Sequence, residues 1–172
     1  MAKKVVKEIL SWVMVVLVAF LMAFIVTHYV IIKAEVPTGS MKDTIQVEDR
    51  LIGLRLAYLF SEPERGDIVI FKYPDDEKEN YIKRVIGLPG EEIEIVEGLL
   101  YIDGVLYEEN YIKEPMEGSF GPYEVPEDCY FMLGDNRNSS WDSRYWKNPF
   151  VKSEKILGKA WLRYEPSFGW LE

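Results

Sequence analysis

From Ile9 to Ile32 the chain runs for about 24 residues without a charged side chain. As a helix at about 1.5 Å per residue this covers about 36 Å, enough to cross a bilayer with some tilt. Trp12 and Tyr29 lie near its two ends, where amphipathic aromatics favour the headgroup level. A removable secretory signal has an apolar region of only about 7–15 residues ending in small side chains. Here the run is longer and closes on the bulky Thr27-His28-Tyr29-Val30. A buried core helix is rarely apolar on every face. The run therefore reads as an uncleaved anchor. Lys3, Lys4 and Lys7 precede it and the next basic residue is Lys33, which puts the N-terminus in the cytoplasm and the remainder across the membrane. Residues 1–8 form a cytoplasmic tail, 9–32 the anchor, and 33–172 an extracytoplasmic domain of ordinary single-domain size.

From Lys33 onward, 17 Lys and Arg face 28 Asp and Glu, a net charge of −11. A domain this acidic repels phosphate, so nucleic acid is excluded as a partner. Cys129 is the only cysteine, so no intrachain disulfide forms, and it reads as a small buried residue. His28, inside the anchor, is the only histidine. The domain beyond it therefore has no Ser-His-Asp or Cys-His arrangement and lacks the commonest zinc ligand, and no metal site is expected.

The domain is patterned as strands. Leu51–Leu54 leads into Arg55–Phe60, which reads either as a core strand or as a loop dipping into lipid beside the anchor. Arg65-Gly66-Asp67 turns the chain into a strand over 68–73. A charged loop over 74–80 precedes a strand over 81–86, stopped by Gly87-Leu88-Pro89-Gly90. Ile93 and Ile95 alternate with glutamates as a half-buried strand. Residues 99–102 and 105–107 form a hairpin whose Asp103-Gly104 suits a type I′ turn. Glu108–Pro126 reads as a long acidic excursion, Tyr130–Leu133 as a buried strand, and 159–164 as the last strand. The fold class is mainly β: one N-terminal transmembrane helix, then one compact β-rich domain without a large second domain.

Three segments carry reactive groups. In Val36-Pro37-Thr38-Gly39-Ser40-Met41, Pro37 fixes its own φ, Gly39 allows a tight turn with positive φ, and two hydroxyls lie close together. A serine nucleophile needs a base, and without histidine that base is a lysine or a carboxylate. Lys83 interrupts the apolar strand Tyr81-Ile82-Lys83-Arg84-Val85-Ile86. Burial there would disfavour its charged form and lower its pKa. On a period of two, Lys83 shares a face with Tyr81 and Val85, and Arg84 points the other way. The third segment, Gly134 to Arg144, is dense in hydroxyls and Asp/Arg pairs and reads as a loop held by its own hydrogen bonds. Taken singly, these are also an ordinary turn with a surface serine, an edge-strand lysine and a polar turn.

In this order behind an N-terminal anchor, the three segments resemble those of bacterial type I signal peptidase, in a compact form, and the resemblance runs from the anchor to Arg144. It implies a membrane-bound serine endopeptidase that removes signal peptides on the outer side of the cytoplasmic membrane. Ser40 would be the nucleophile and Lys83 the general base. The Thr38 hydroxyl and the Ser40 N–H would form the oxyanion hole, with Ser140 bonded to the lysine and Asp142 and Arg144 supporting the site. Val36, Met41, Tyr81 and Ile82 match residues that shape pockets for the small side chains of an Ala-x-Ala ending. The implied partners are signal peptides of exported preproteins and membrane lipid, with neither metal nor diffusible cofactor.

Two positions depart from the family pattern. Asp43 stands where a proline is usual, and Glu91 where an aspartate commonly follows the Gly-Leu-Pro-Gly turn. A proline at position 43 is expected to leave the fold intact and activity unchanged or higher. Two other functions share part of the pattern. One is a self-cleaving, repressor-like Ser/Lys protease, which the anchor and acidic surface disfavour. The other is a non-catalytic β domain tethered to the membrane.

Overall fold

The computed structural model describes residues 2–112 and 114–171. Helix α1 (Ala2–Ile25) passes into one wider π turn over Val26–Val30. Its apolar side chains are exposed along its length, and it is long and apolar enough to cross a membrane. Ile31 and Ile32, the last residues of the apolar run, are not helical. They open strand β1 (Ile31–Glu35), and Ile32 is buried in the domain core.

Twelve strands follow one another along the described residues. After β1 come β2 (Arg50–Leu54), β3 (Ile68–Lys72), β4 (Asn80–Gly87), β5 (Glu92–Val96), β6 (Leu99–Ile102), β7 (Val105–Leu106) and β8 (Phe120–Glu124). They are completed by β9 (Cys129–Leu133), β10 (Phe150–Lys152), β11 (Ile156–Glu165) and β12 (Gly169–Trp170). One sheet has the order β1-β2-β11-β3-β4-β9-β10, with β12 also on β11, and a smaller sheet has the order β7-β6-β5-β8. The fold is mainly β, with one N-terminal helix and one compact β domain.

The apolar runs of β3, β4 and β9 follow from burial on both faces, which removes the need for polar alternation. On β4 and β9, Val85, Tyr130 and Met132 pack with Val69, Phe71 and Trp146. Their neighbours Ile86, Phe131 and Leu133 pack instead with Ile93, Ile95 and Leu100 of the small sheet. Val36, Met41 and Ile45 join Leu51, Ile70 and Leu171 in a third cluster.

β1 and β4 are separated by three strands. At about 4.8 Å per strand, a flat sheet would hold them about 19 Å apart. The sheet curls instead. β11, which bridges β2 and β3, carries register shifts at Ile156/Gly158, Ala160/Leu162 and Arg163/Glu165, and such bulges bend a strand and raise its twist. The segment leaving β1 thereby comes to lie over β4.

Some expectations change. The core-strand reading of Arg55–Phe60 fails, because β2 ends at Leu54 and the next residues turn, with Phe60 96% exposed. Arg55 donates from its backbone N–H to Val30 O at 2.8 Å and from Nε to Ile31 O at 3.2 Å, which fixes this loop beside the end of the helical segment. The excursion after Glu108 contains β8, which pairs with β5, and β10 and β12 also had no counterpart in the sequence reading. At the expected type I′ turn, both Asp103 and Gly104 have positive φ.

Candidate active site

The turn that follows β1 carries Ser40. Val36, at its start, and Met41, just after Ser40, are buried, and they pin the turn to the core on both sides of the serine. Within it Lys42 N–H donates to Gly39 O at 3.0 Å, and Thr44 and Ile45 N–H both donate to Met41 O. Gly39 does not use the positive-φ freedom expected of it, and a Cβ there would meet only Val47 Cγ2, at 3.8 Å. The residue that needs left-handed backbone is Asp43, at φ 89°. Proline is locked near −65°, so the expected tolerance of proline at position 43 is overturned for this turn.

β4 supplies the lysine. Lys83 pairs in register with Val69 and is 3% exposed. Its Nζ lies 2.6 Å from Ser40 Oγ and 3.3 Å from Ile82 O, and 5.5 Å from the centre of the Tyr81 ring. Burial lowers its pKa from 10.5 to about 8, against the opposing pull of the Asp142 and Asp135 carboxylates. About a tenth of the amine is then neutral at pH 7, far more than for an ordinary lysine, and a neutral amine is able to accept a proton.

The Gly134–Arg144 segment closes the site from behind. Gly134 presses against the turn: a Cβ there would lie 2.4 Å from Ser40 O and 2.2 Å from Ser140 Oγ. No other residue fits. Its N–H donates to Asp142 Oδ2 at 3.1 Å, and Asp142 is held by Arg144 through Nε and Nη2 at 2.8 and 2.9 Å. Arg144 Nη2 also donates to Arg137 O, and Arg137 Nε donates to Gly134 O. The side-chain hydrogen bonds of Asp142 and Arg144 thus run within the loop, and Asp142 acts on Lys83 only through its charge. Ser140 differs from expectation. Its Oγ is buried without a hydrogen-bond partner among the described residues, so it does not bond Lys83 here.

Thr38 Oγ1 lies 3.4 Å from Ser40 Oγ, longer than an ordinary hydroxyl hydrogen bond, and the residue is exposed. A cleft of ≈ 690 Å³ opens in front of the pair, lined among others by Val36, Met41, Tyr81 and Ile82 together with Ile70 and Trp141. All ten residues singled out from the sequence thus fall in one neighbourhood: seven line the cleft and Ser140, Asp142 and Arg144 lie behind it. Among the described residues, no group of three or more His, Cys, Asp or Glu is placed to hold a metal ion.

Four polar residues, Asn136, Thr44, Asp135 and Arg84, were given no role at the site from the sequence. Asn136 donates from Nδ2 to Gly39 O at 2.9 Å and from its backbone N–H to Ser40 O at 3.1 Å. Thr44 Oγ1 donates to Asp135 Oδ2 at 2.6 Å, and buried Arg84 grips the same carboxylate through Nε and Nη2 at 2.9 and 2.7 Å. Their sequence signal was only the alternation that sends Arg84 away from Lys83 and the polar density of the 134–144 segment.

Residues 9–165 match the family described as signal peptidase, peptidase S26. A probable signal peptidase I-2 of Synechocystis is 46% identical over 136 residues, 76% of this chain and 62% of its own length. Signal peptidase I of Bacillus caldolyticus is 38% identical over 169 residues, covering 90% of this chain and 88% of its own. Among solved structures, a signal peptidase I from Enterococcus faecalis superposes with a TM-score of 0.51 at 37% identity, over 58% of this chain and 97% of that one.

Proposed function

The chain belongs to the signal peptidase family, peptidase S26, and we propose that it is a membrane-anchored serine endopeptidase that releases exported proteins from their signal peptides by a Ser40/Lys83 mechanism. The observation that carries this reading is the 2.6 Å approach of a buried, partly neutral Lys83 amine to Ser40 Oγ. α1, exposed and apolar, supports anchoring in the cytoplasmic membrane, with the preceding lysines inside and the β domain outside. Substrate is then presented at the lipid surface, where signal peptides of preproteins emerge.

Neutral Lys83 takes the Ser40 proton as Oγ adds to the carbonyl carbon before the scissile bond. The carbonyl oxygen becomes an oxyanion, stabilised by the Ser40 N–H and the Thr38 hydroxyl. Collapse breaks the C–N bond. The Lys83 ammonium gives its proton to the departing nitrogen, which becomes the N-terminus of the mature protein. Water then attacks the Ser40 ester, again losing a proton to Lys83. The C–Oγ bond breaks, Lys83 returns that proton to Ser40 Oγ, and the signal peptide leaves with a free carboxylate. The cleft walls made by Val36, Met41 and Ile82 are apolar and buried or half-buried, which suits small side chains such as those of Ala-x-Ala. The test is cleavage of a synthetic Ala-x-Ala preprotein by the detergent-solubilised chain. Cleavage abolished by Ser40→Ala is expected, and cleavage that persists in that variant would refute the reading.

A further inference from the structure

We infer that Asn136 is a positioning residue for the oxyanion site, acting through the peptide unit that joins Gly39 to Ser40; this rests on the assignment of Ser40 above. In a trans peptide the C=O and N–H point in opposite directions. A donor placed on Gly39 O therefore fixes where the Ser40 N–H aims, and that N–H is the backbone group that must meet the developing negative oxygen. Gly39 O receives two hydrogen bonds. Lys42 N–H supplies one from inside the turn, and Asn136 Nδ2 supplies the other from the Gly134–Arg144 loop, at 2.9 Å.

Asn136 also donates its backbone N–H to Ser40 O, so it grips the carbonyls on both sides of the nucleophile. Gly39 itself locks nothing, since it has neither positive φ nor close neighbours. The turn must be held from outside. Asn136 is a firm point from which to hold it. Its own C=O accepts from Ser139 N–H at 3.0 Å. The residue before it, Asp135, is buried and clamped by Arg84 and Thr44. An accepting carbonyl also polarises the N–H of the same unit, which strengthens it as a donor. It is the side-chain amide of Asn136 that donates to Gly39 O, and a carboxylate in its place would repel that carbonyl.

The experiment uses the full chain in detergent, with an Ala-x-Ala preprotein as substrate and a peptide boronate that forms a tetrahedral adduct on the serine. Asn136→Ala and Asn136→Asp are expected to lower kcat by about 10–100-fold, a part of what losing a whole oxyanion donor costs. KM should stay close to wild type, and boronate affinity should fall by the same factor as kcat/KM. Combined with Thr38→Val, the loss should be smaller than the product of the two single losses, because both act on one oxygen. Wild-type kcat per folded molecule in both variants, whatever their melting temperatures, would overturn the inference. So would a loss confined to KM, or boronate affinity unchanged while kcat falls. Ser40→Ala run alongside separates the two levels: if it still cleaves, the Ser40 assignment fails and this inference with it. If it is dead while the Asn136 variants work normally, only the role of Asn136 is lost.

Discussion

Lys83 Nζ lies 2.6 Å from Ser40 Oγ across 43 positions of the chain and three intervening strands. Neither residue is placed by its own neighbours alone. Ser40 depends on a turn pinned by Val36 and Met41 and backed by Gly134, and Lys83 depends on its register with Val69 in a sheet bent by the shifts in β11. The sheet thus brings together two side chains that local structure does not.

Holding a lysine in this place works against stability. Its folded pKa of about 8 lies below the ordinary 10.5, so between these values the unfolded chain binds more protons and stability rises with pH. Below pH 8 the penalty for the buried ammonium is complete. Lys83→Met should therefore be more stable than the parent at pH 6.5, by up to ~3 kcal/mol, with the advantage shrinking as pH rises from 8 to 10.5. Urea unfolding followed by tryptophan fluorescence measures this. No gain at pH 6.5, or a gain that grows with pH, would show that the amine is not desolvated.

Thr38 is exposed and held only loosely to Ser40 Oγ, at 3.4 Å, so its hydroxyl remains available for the substrate oxygen. Thr38→Val should lose about 10²–10³ in kcat while keeping the melting temperature, and Thr38→Ser should retain most activity. Equal turnover in Thr38→Val and wild type would remove the hydroxyl from the mechanism.

At φ 89°, Asp43 occupies a backbone conformation that proline cannot reach and glycine adopts freely. Asp43→Pro is expected to destabilise the domain by about 1–3 kcal/mol and to lower activity by displacing the turn. Asp43→Gly, which keeps the backbone of the turn, should lose much less stability and turnover than Asp43→Pro. A fully active, equally stable Asp43→Pro would mean that the turn rearranges without cost.

What was legible in the sequence followed from chemistry that local pattern can carry. The lack of histidine beyond the anchor left lysine or carboxylate as the base, and a lysine amid apolar strand residues is an anomaly that period-two reading exposes. β8 was not legible, because Phe120-Gly121-Pro122 carries two turn-formers, and only pairing with β5 makes it a strand. β10 and β12, at three and two residues, are too short for any period to register. The role of Asn136 depends on a contact 97 positions away, and an Asn in a polar turn has many commoner uses. Backbone sign at Gly39 and Asp43 was misjudged from residue type, since the tertiary packing of Met41 and Ile45 sets the path of the turn.

Ser140 Oγ is buried beside Gly134 with no hydrogen-bond partner among the described residues. Removing an unsatisfied hydroxyl costs no hydrogen bond in the free protein. Ser140→Ala should leave the melting temperature unchanged or higher. Its kcat should fall ~5-fold if the hydroxyl engages the lysine once substrate is bound, a hydrogen bond of ordinary strength. A lower melting temperature with unchanged kcat would make Ser140 structural only.

The pH dependence of kcat/KM on an Ala-x-Ala preprotein tests the Ser40/Lys83 assignment most directly, because its acid limb reports the essential base of the free enzyme. The expected limb has an apparent pKa near 8, the value burial gives Lys83. It should vanish with all activity in Lys83→Arg, whose guanidinium stays charged throughout. An acid limb in the carboxylate range, or turnover by Lys83→Arg, would contradict the assignment of Lys83 as the base.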